Sequence, residues 1–164
     1  MKHPIGIARN NTPVYVDLIA SPAATHIARQ PHLLELVREV LRNSSPRGPV
    51  VNIEYDMGRP IGYSFIVSTT DDDSVVYAQI IRDKVFTRFV KTGKPNATQH
   101  VTVVLHRDTD GEYELRDVWI GRMAPPRPGS GNETEDSHEF WKTHAYLLDS
   151  QIVQPRSVTR TCPY

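Results

Sequence analysis

The sequence predicts an α+β fold: one domain with an antiparallel sheet of five or six strands and two helices packed on it. Three observations lead there. From His100 to Gly121 (H-V-T-V-V-L-H-R-D-T-D-G-E-Y-E-L-R-D-V-W-I-G) the side chains alternate with a period of two on either side of Asp108-Thr109-Asp110-Gly111, a hairpin with its turn chemistry in place. Leu33, Leu34, Val37, Val40 and Leu41 recur at helical spacing, and so do Phe140, Trp141, His144, Ala145 and Leu148. Further short β-rich runs lie between the two helical patterns, separated by glycine and proline. The domain is expected over residues 1–150, with a C-terminal tail over 151–164.

In chain order, Val14 to Ile19 (V-Y-V-D-L-I) makes a first strand. Ala23 to Arg29 is expected to be extended or irregular, because Pro31 discourages a helix running through Gln30. The first helix starts with Pro31 at its first position and ends in the loop Asn43 to Pro49. Val50 to Tyr55 and Gly62 to Ser68 read as a second hairpin around Asp56 to Pro60. Asp71, Asp72 and Asp73 form a solvated turn without the spaced ligands of a calcium loop. Ser74 to Ile81 and Val85 to Val90 are β-rich and lead into the central hairpin. In that hairpin Val101, Val103 and Leu105 share one face, and His100, Thr102, Val104 and His106 the other. Its second strand is expected to alternate Tyr113, Leu115, Asp117 and Trp119 against Glu114, Arg116, Val118 and Ile120. Arg122 to Asp136 is a long proline- and glycine-rich surface loop, of a length that hints at function or mobility. Asp136 and Glu139 suggest a capping box for a helix running to Asp149, and the tail from Ser150 either adds an edge strand at Gln151 to Gln154 or is loose.

Composition narrows the function. The 164 residues carry 19 Lys and Arg against 19 Asp and Glu, so the whole chain advertises no nucleic acid or anionic membrane and any phosphate site must be local. A single cysteine, Cys162, excludes a disulfide framework and a thiolate zinc cluster. No apolar run reaches the roughly 20 residues of a membrane span, and Met1 to Asn11 holds no signal-peptide core, so a cytoplasmic protein away from the membrane is expected. Walker, dinucleotide-binding, H-E-x-x-H and G-x-S-x-G patterns are absent. The expectation is therefore chemistry without metal or cofactor.

Seven histidines supply groups that titrate near neutral pH. His3 and His32 sit in exposed contexts. His144 falls on the apolar face of the last predicted helix, where its ring needs a partner, and serves as a satisfied core histidine or a proton-transfer group. His26 precedes the first helix, and His100 opens the central hairpin beside Thr102 and His106. Arg82 to Lys94 (R-D-K-V-F-T-R-F-V-K-T-G-K) interleaves five cations with aromatic and β-branched residues and is the best phosphate candidate, although a charged outer strand face explains the same pattern. This is the inventory of a ribonuclease that works by acid and base catalysis.

The succession Y-A-Q-I-I-R-D-K-V-F-T-R-F-V-K, P-N-A-T-Q-H-V-T-V-V-L, Y-E-L-R-D-V-W-I-G, a proline-rich loop and S-H-E-F-W-K-T-H-A-Y resembles a group of small uncharacterised bacterial and phage-borne proteins, over about Gly62 to Leu148. In layout that group is similar to the barnase, EndoU, colicin and RelE superfamily of metal-independent RNases and toxins. The resemblance implies Arg88 or Lys84 on phosphate, His26 and His144 in proton transfer, and Thr102 or Arg122 in support. The group carries a Thr-Ala pair where this chain has Asp117, Val118 and Trp119, which removes a hydroxyl there. The expected function is a toxin-like endoribonuclease, with His26, His144 and Arg88 catalytic and with Lys84, Arg82, Thr102, His100 and Arg122 binding RNA. Its partners would be RNA and a cognate antitoxin or immunity protein. The alternative is a binding or immunity module without catalysis that meets a protein or RNA through its sheet face.

Overall fold

The computed structural model describes residues 1–80, 85–131 and 133–164. The fold class is α+β, and the chain clusters into two compact units. One comprises Met1–Gly62 with Thr98–Arg122, the other Tyr63–Ala97 with Met123–Tyr164.

The first unit opens with β1 (Lys2–Ile7) and β2 (Pro13–Asp17), followed by α1 (Pro22–Arg29), α2 (Leu33–Arg42) and β3 (Val50–Asp56). The next elements are β4 (Gly62–Ser64), β5 (Ile66–Ser68), β6 (Val75–Gln79), β7 (Phe86–Val90) and β8 (Asn96–Thr98). The central hairpin, β9 (His100–Arg107) and β10 (Tyr113–Ile120), returns the chain to the first unit. Its sheet has the order β1-β2-β10-β9-β3, antiparallel except where β2 runs parallel to β10. Val101, Val103, Leu105, Leu115 and Val118 face the helices and are fully buried, together with Val37, Val40 and Leu41 of α2. Each such side chain contributes about 1.5–3 kcal/mol by leaving water, so the amphipathic stripe of α2 and the inner face of the hairpin are the main source of this unit's stability.

Several expectations need correction. Residues 22–29 are helical: Ser21 precedes Pro22 at the first helical position, and Ala23, Ala24 and Ile27 pack into the core. The proline rule restricts only Gln30, which does leave the helical region (φ −132°, ψ 79°), so Pro31 ends this helix instead of preventing it. The second helix begins at Leu33 rather than Pro31, after a turn in which Leu33 N and Leu34 N donate to Gln30 O and Pro31 O. β1 was not foreseen, because Pro4, Gly6 and the polar residues around them mask it. The run Val50 to Tyr55 does not pair with the run Gly62 to Ser68. β3 pairs with β9, whereas the second run breaks at Phe65 into β4, which pairs with β8, and β5.

The second unit holds a four-stranded sheet, β5-β11-β7-β6, where β11 is His144–Leu147. It also holds α3 (Glu135–Thr143), so the described residues form three α-helices where two were expected, and two main sheets where one was. The capping box is made by Thr134 and Ser137, not Asp136 and Glu139. Helical spacing suggested that α3 continues to Asp149, but the chain becomes extended at His144 (φ −132°, ψ 150°), since H-A-Y-L finds backbone partners in β5 and β7. Tertiary pairing here overrides a local period. After β11, Val153 bridges Ile80, and Tyr77 and Thr159 exchange two backbone hydrogen bonds of 2.7 and 2.8 Å. Among the described residues no helix is long and apolar enough to cross a membrane.

Candidate functional site

The best-formed titratable site lies in the first unit, where α1 meets β10. The hairpin register slips between Leu115 and Asp117: Leu115 pairs with Leu105 and Asp117 with Val104, leaving Arg116 as the extra residue of a β-bulge. The alternation expected along β10 therefore changes phase at Arg116. Val118 stays in the core at 0 % exposure, and Asp117 is free to meet the helix. His26 Nδ1 lies 2.9 Å from Asp117 Oδ1 and 2.9 Å from Val118 O. Both neighbours accept, so Nδ1 carries the proton and the neutral ring presents Nε2 as its basic atom. Nε2 has no hydrogen-bond partner among the described residues, and the side chain is 43 % exposed. The Asp117 carboxylate raises the His26 pKa above its ordinary value, outweighing the opposing effect of partial burial. Arg29, three residues further along α1, works weakly against the imidazolium.

The same helix and strand carry a second polar pair. Ser21 Oγ accepts from Asp17 N and donates to Glu114 Oε1, which also accepts from Arg116 Nη1 at 3.1 Å. Ser21 is 4 % exposed, which fixes the entry of the chain into α1.

Three residues expected to bind RNA come together around Gly121. Thr102 is fully buried and its hydroxyl donates to Gly121 O at 2.8 Å. His100 O accepts from Gly121 N, and His100 Nε2 lies 3.4 Å from Arg122 Nη2. Carboxylates complete this group: Glu54 is 3.3 Å from Arg122 Nε, and Asp56 is 3.9 Å from His100 Nε2. Two carboxylates thus stand against one guanidinium, so the group offers no surplus positive charge to a phosphate.

In the second unit Arg88 and His144 are neighbours, through the backbone of one. Arg88 Nη1 donates to Thr69 Oγ1 at 2.7 Å and to His144 O at 3.0 Å. The His144 ring stacks on Phe140 (centroids 4.0 Å apart, planes at 5°), with Nδ1 3.0 Å from Phe140 O and Nε2 3.5 Å from Ser68 Oγ. Its environment is a helix end, not a core face. Lys84 and Arg82 lie outside the described residues.

Asp117 escaped sequence reasoning as a partner of His26, because a bulge leaves no local signature in the alternation. A second group that went unread is the hairpin turn itself. Asp108, Asp110 and Glu112 offer carboxylate oxygens all within 4.8 Å of one another. The Lys2 ammonium stands 3.2, 3.8 and 3.4 Å from them and 4.4 Å from the centroid of the Tyr15 ring. Comparisons of the chain with protein-family models, with curated proteins and with solved structures find no match.

Proposed function

We propose that the protein is a metal-independent RNA-cleaving enzyme whose proton-transfer group is His26, held by Asp117. The observation that supports this reading is the orientation of one imidazole: Nδ1–H is bound to a carboxylate and a carbonyl, Nε2 is open to a substrate, and the Asp117 carboxylate raises the pKa above the ordinary histidine value. In the proposed step Nε2 takes the proton of a ribose 2′-hydroxyl while that oxygen forms a bond to phosphorus. The bond from phosphorus to the 5′-oxygen breaks, and the imidazolium returns the proton to the leaving oxygen. The product ends are a cyclic phosphate and a free 5′-hydroxyl. Asp117 fixes the tautomer and steadies the imidazolium, and Arg29 is the cation available on the same helix to face the phosphate.

The test is incubation of the purified chain with total RNA in EDTA. The wild type is expected to cleave, and His26→Gln to lose roughly 100-fold or more of the rate, the usual share of a positioned acid or base. Asp117→Asn, which keeps the shape and removes the charge, is expected to shift the pH profile to lower pH. Arg88→Ala and His144→Ala show whether the second unit takes part. Intact RNA with a folded wild type would replace this reading with that of a binding module.

A further inference from the structure

We infer that the groove between β1, β2 and the turn of the central hairpin is a docking site for a protein segment that carries two adjacent cationic side chains followed by apolar residues. The groove encloses about 350 Å³ and is lined by Pro4, Ile7, Pro13 and Tyr15, with Lys2 and Glu112 among its polar residues. Its apolar lining is open to a ligand, as Ile7 is 61 % exposed.

Charge selects the occupant. Asp108, Asp110 and Glu112 bring three negative charges together against the single ammonium of Lys2, so two remain uncompensated. Arg107 approaches the back of the turn near Gly111, but forms no ion pair with any of the three among the described residues. Counting it still leaves the turn negative, and an RNA backbone is repelled. Asp110, 74 % exposed, and Glu112, 37 % exposed, face a second cation at the least desolvation cost. Lys2 already displays the recognition chemistry: an ammonium over the Tyr15 ring and among carboxylates is the arrangement by which aromatic and acidic groups hold a lysine or arginine. The edge strand β1 is unsuited to pairing with a partner strand, since Pro4 lacks a donor and the register slips between Pro4 and Gly6. The segment would therefore be held by side chains in the groove.

The experiment is fluorescence anisotropy at low salt with the full chain and a fluorescein-labelled peptide of two lysines followed by three aliphatic residues. Three results are expected. The wild type binds, added sodium chloride weakens binding, and Asp110→Asn with Glu112→Gln weakens it about fivefold, the effect of removing two exposed ion pairs. Ile7→Ser, at an exposed position that leaves the core untouched, reads the apolar half independently and is also expected to weaken binding, whereas Asp56→Asn outside the groove is not. The inference is overturned by absence of wild-type binding, by equal binding to the double variant and Ile7→Ser, or by calcium binding to the turn without peptide binding.

Discussion

His26 Nδ1 and Asp117 Oδ1 stand 2.9 Å apart across the boundary between a helix and a bulged strand, and the same oxygen of Asp117 also accepts from Val118 N. The carboxylate is thus anchored by its own backbone before it reaches the imidazole. That anchoring gives the pair a fixed direction.

The pair makes stability depend on pH. The folded-state pKa of His26 is raised above the ordinary 6.5, so its contribution is complete below that value and is lost as pH rises through the folded-state pKa. His26→Gln is expected to lower Tm more at about pH 5.5 than at about pH 9. With both side chains about a third exposed or more, solvent screening holds the difference below about 1 kcal/mol. Thermal melts by circular dichroism at the two pH values measure it, and an equal loss at both would contradict the ion pair.

Deletion of Arg116 removes the bulge. The remaining strand alternates regularly, with Leu115, Val118 and Ile120 still turned to the core, so the fold is expected to survive. Asp117 keeps Val104 opposite it, but the local bend that the bulge puts into the strand is gone, and its carboxylate is expected to draw away from His26. The His26 pKa should fall toward 6.5, which an NMR titration of its Cε1 proton reports. A titration unchanged from wild type would show that the carboxylate reaches His26 without the bulge.

Leu115→Ala empties a fully buried site under the helices. The cost is expected to be about 2–5 kcal/mol, from lost transfer energy and a residual cavity. Urea unfolding with an unchanged m value gives the figure directly.

Thr102→Val separates a structural hydroxyl from an RNA ligand. The Thr102 hydroxyl is buried and donates to Gly121 O, so its removal should cost about 1 kcal/mol of stability. RNA cleavage measured below the melting range should match wild type, and a selective loss of cleavage would give Thr102 a part in the site.

The central hairpin was legible in the sequence because its period, its turn residues and its core-facing valines all agree. The α2 stripe was legible for the same reason. Where local signals competed with distant pairing they misled: His144 continues the spacing of a helix face, yet its backbone joins β5, and the partner of Val50 in β3 lies 56 positions away at His106. The candidate site was half legible. His26 stood out as a titratable group, but its carboxylate partner depends on a register slip that no single strand encodes. His100 and Thr102 lie on one hairpin face by alternation alone, but their meeting with Arg122 around Gly121, and with Glu54 and Asp56 of β3, depends on the fold.

The bonds between Tyr77 and Thr159, with Gln154 N donating to Gln79 O and Gln79 N to Ser157 Oγ, run along the outer side of β6, the last strand of its sheet. An uncovered last strand is a template on which another chain can grow. The C-terminal residues act as a selvedge, finishing the sheet so that it does not fray or stitch itself to a neighbour. Truncation before Val153 would therefore show itself first as self-association at high concentration, before any loss of the hairpin core.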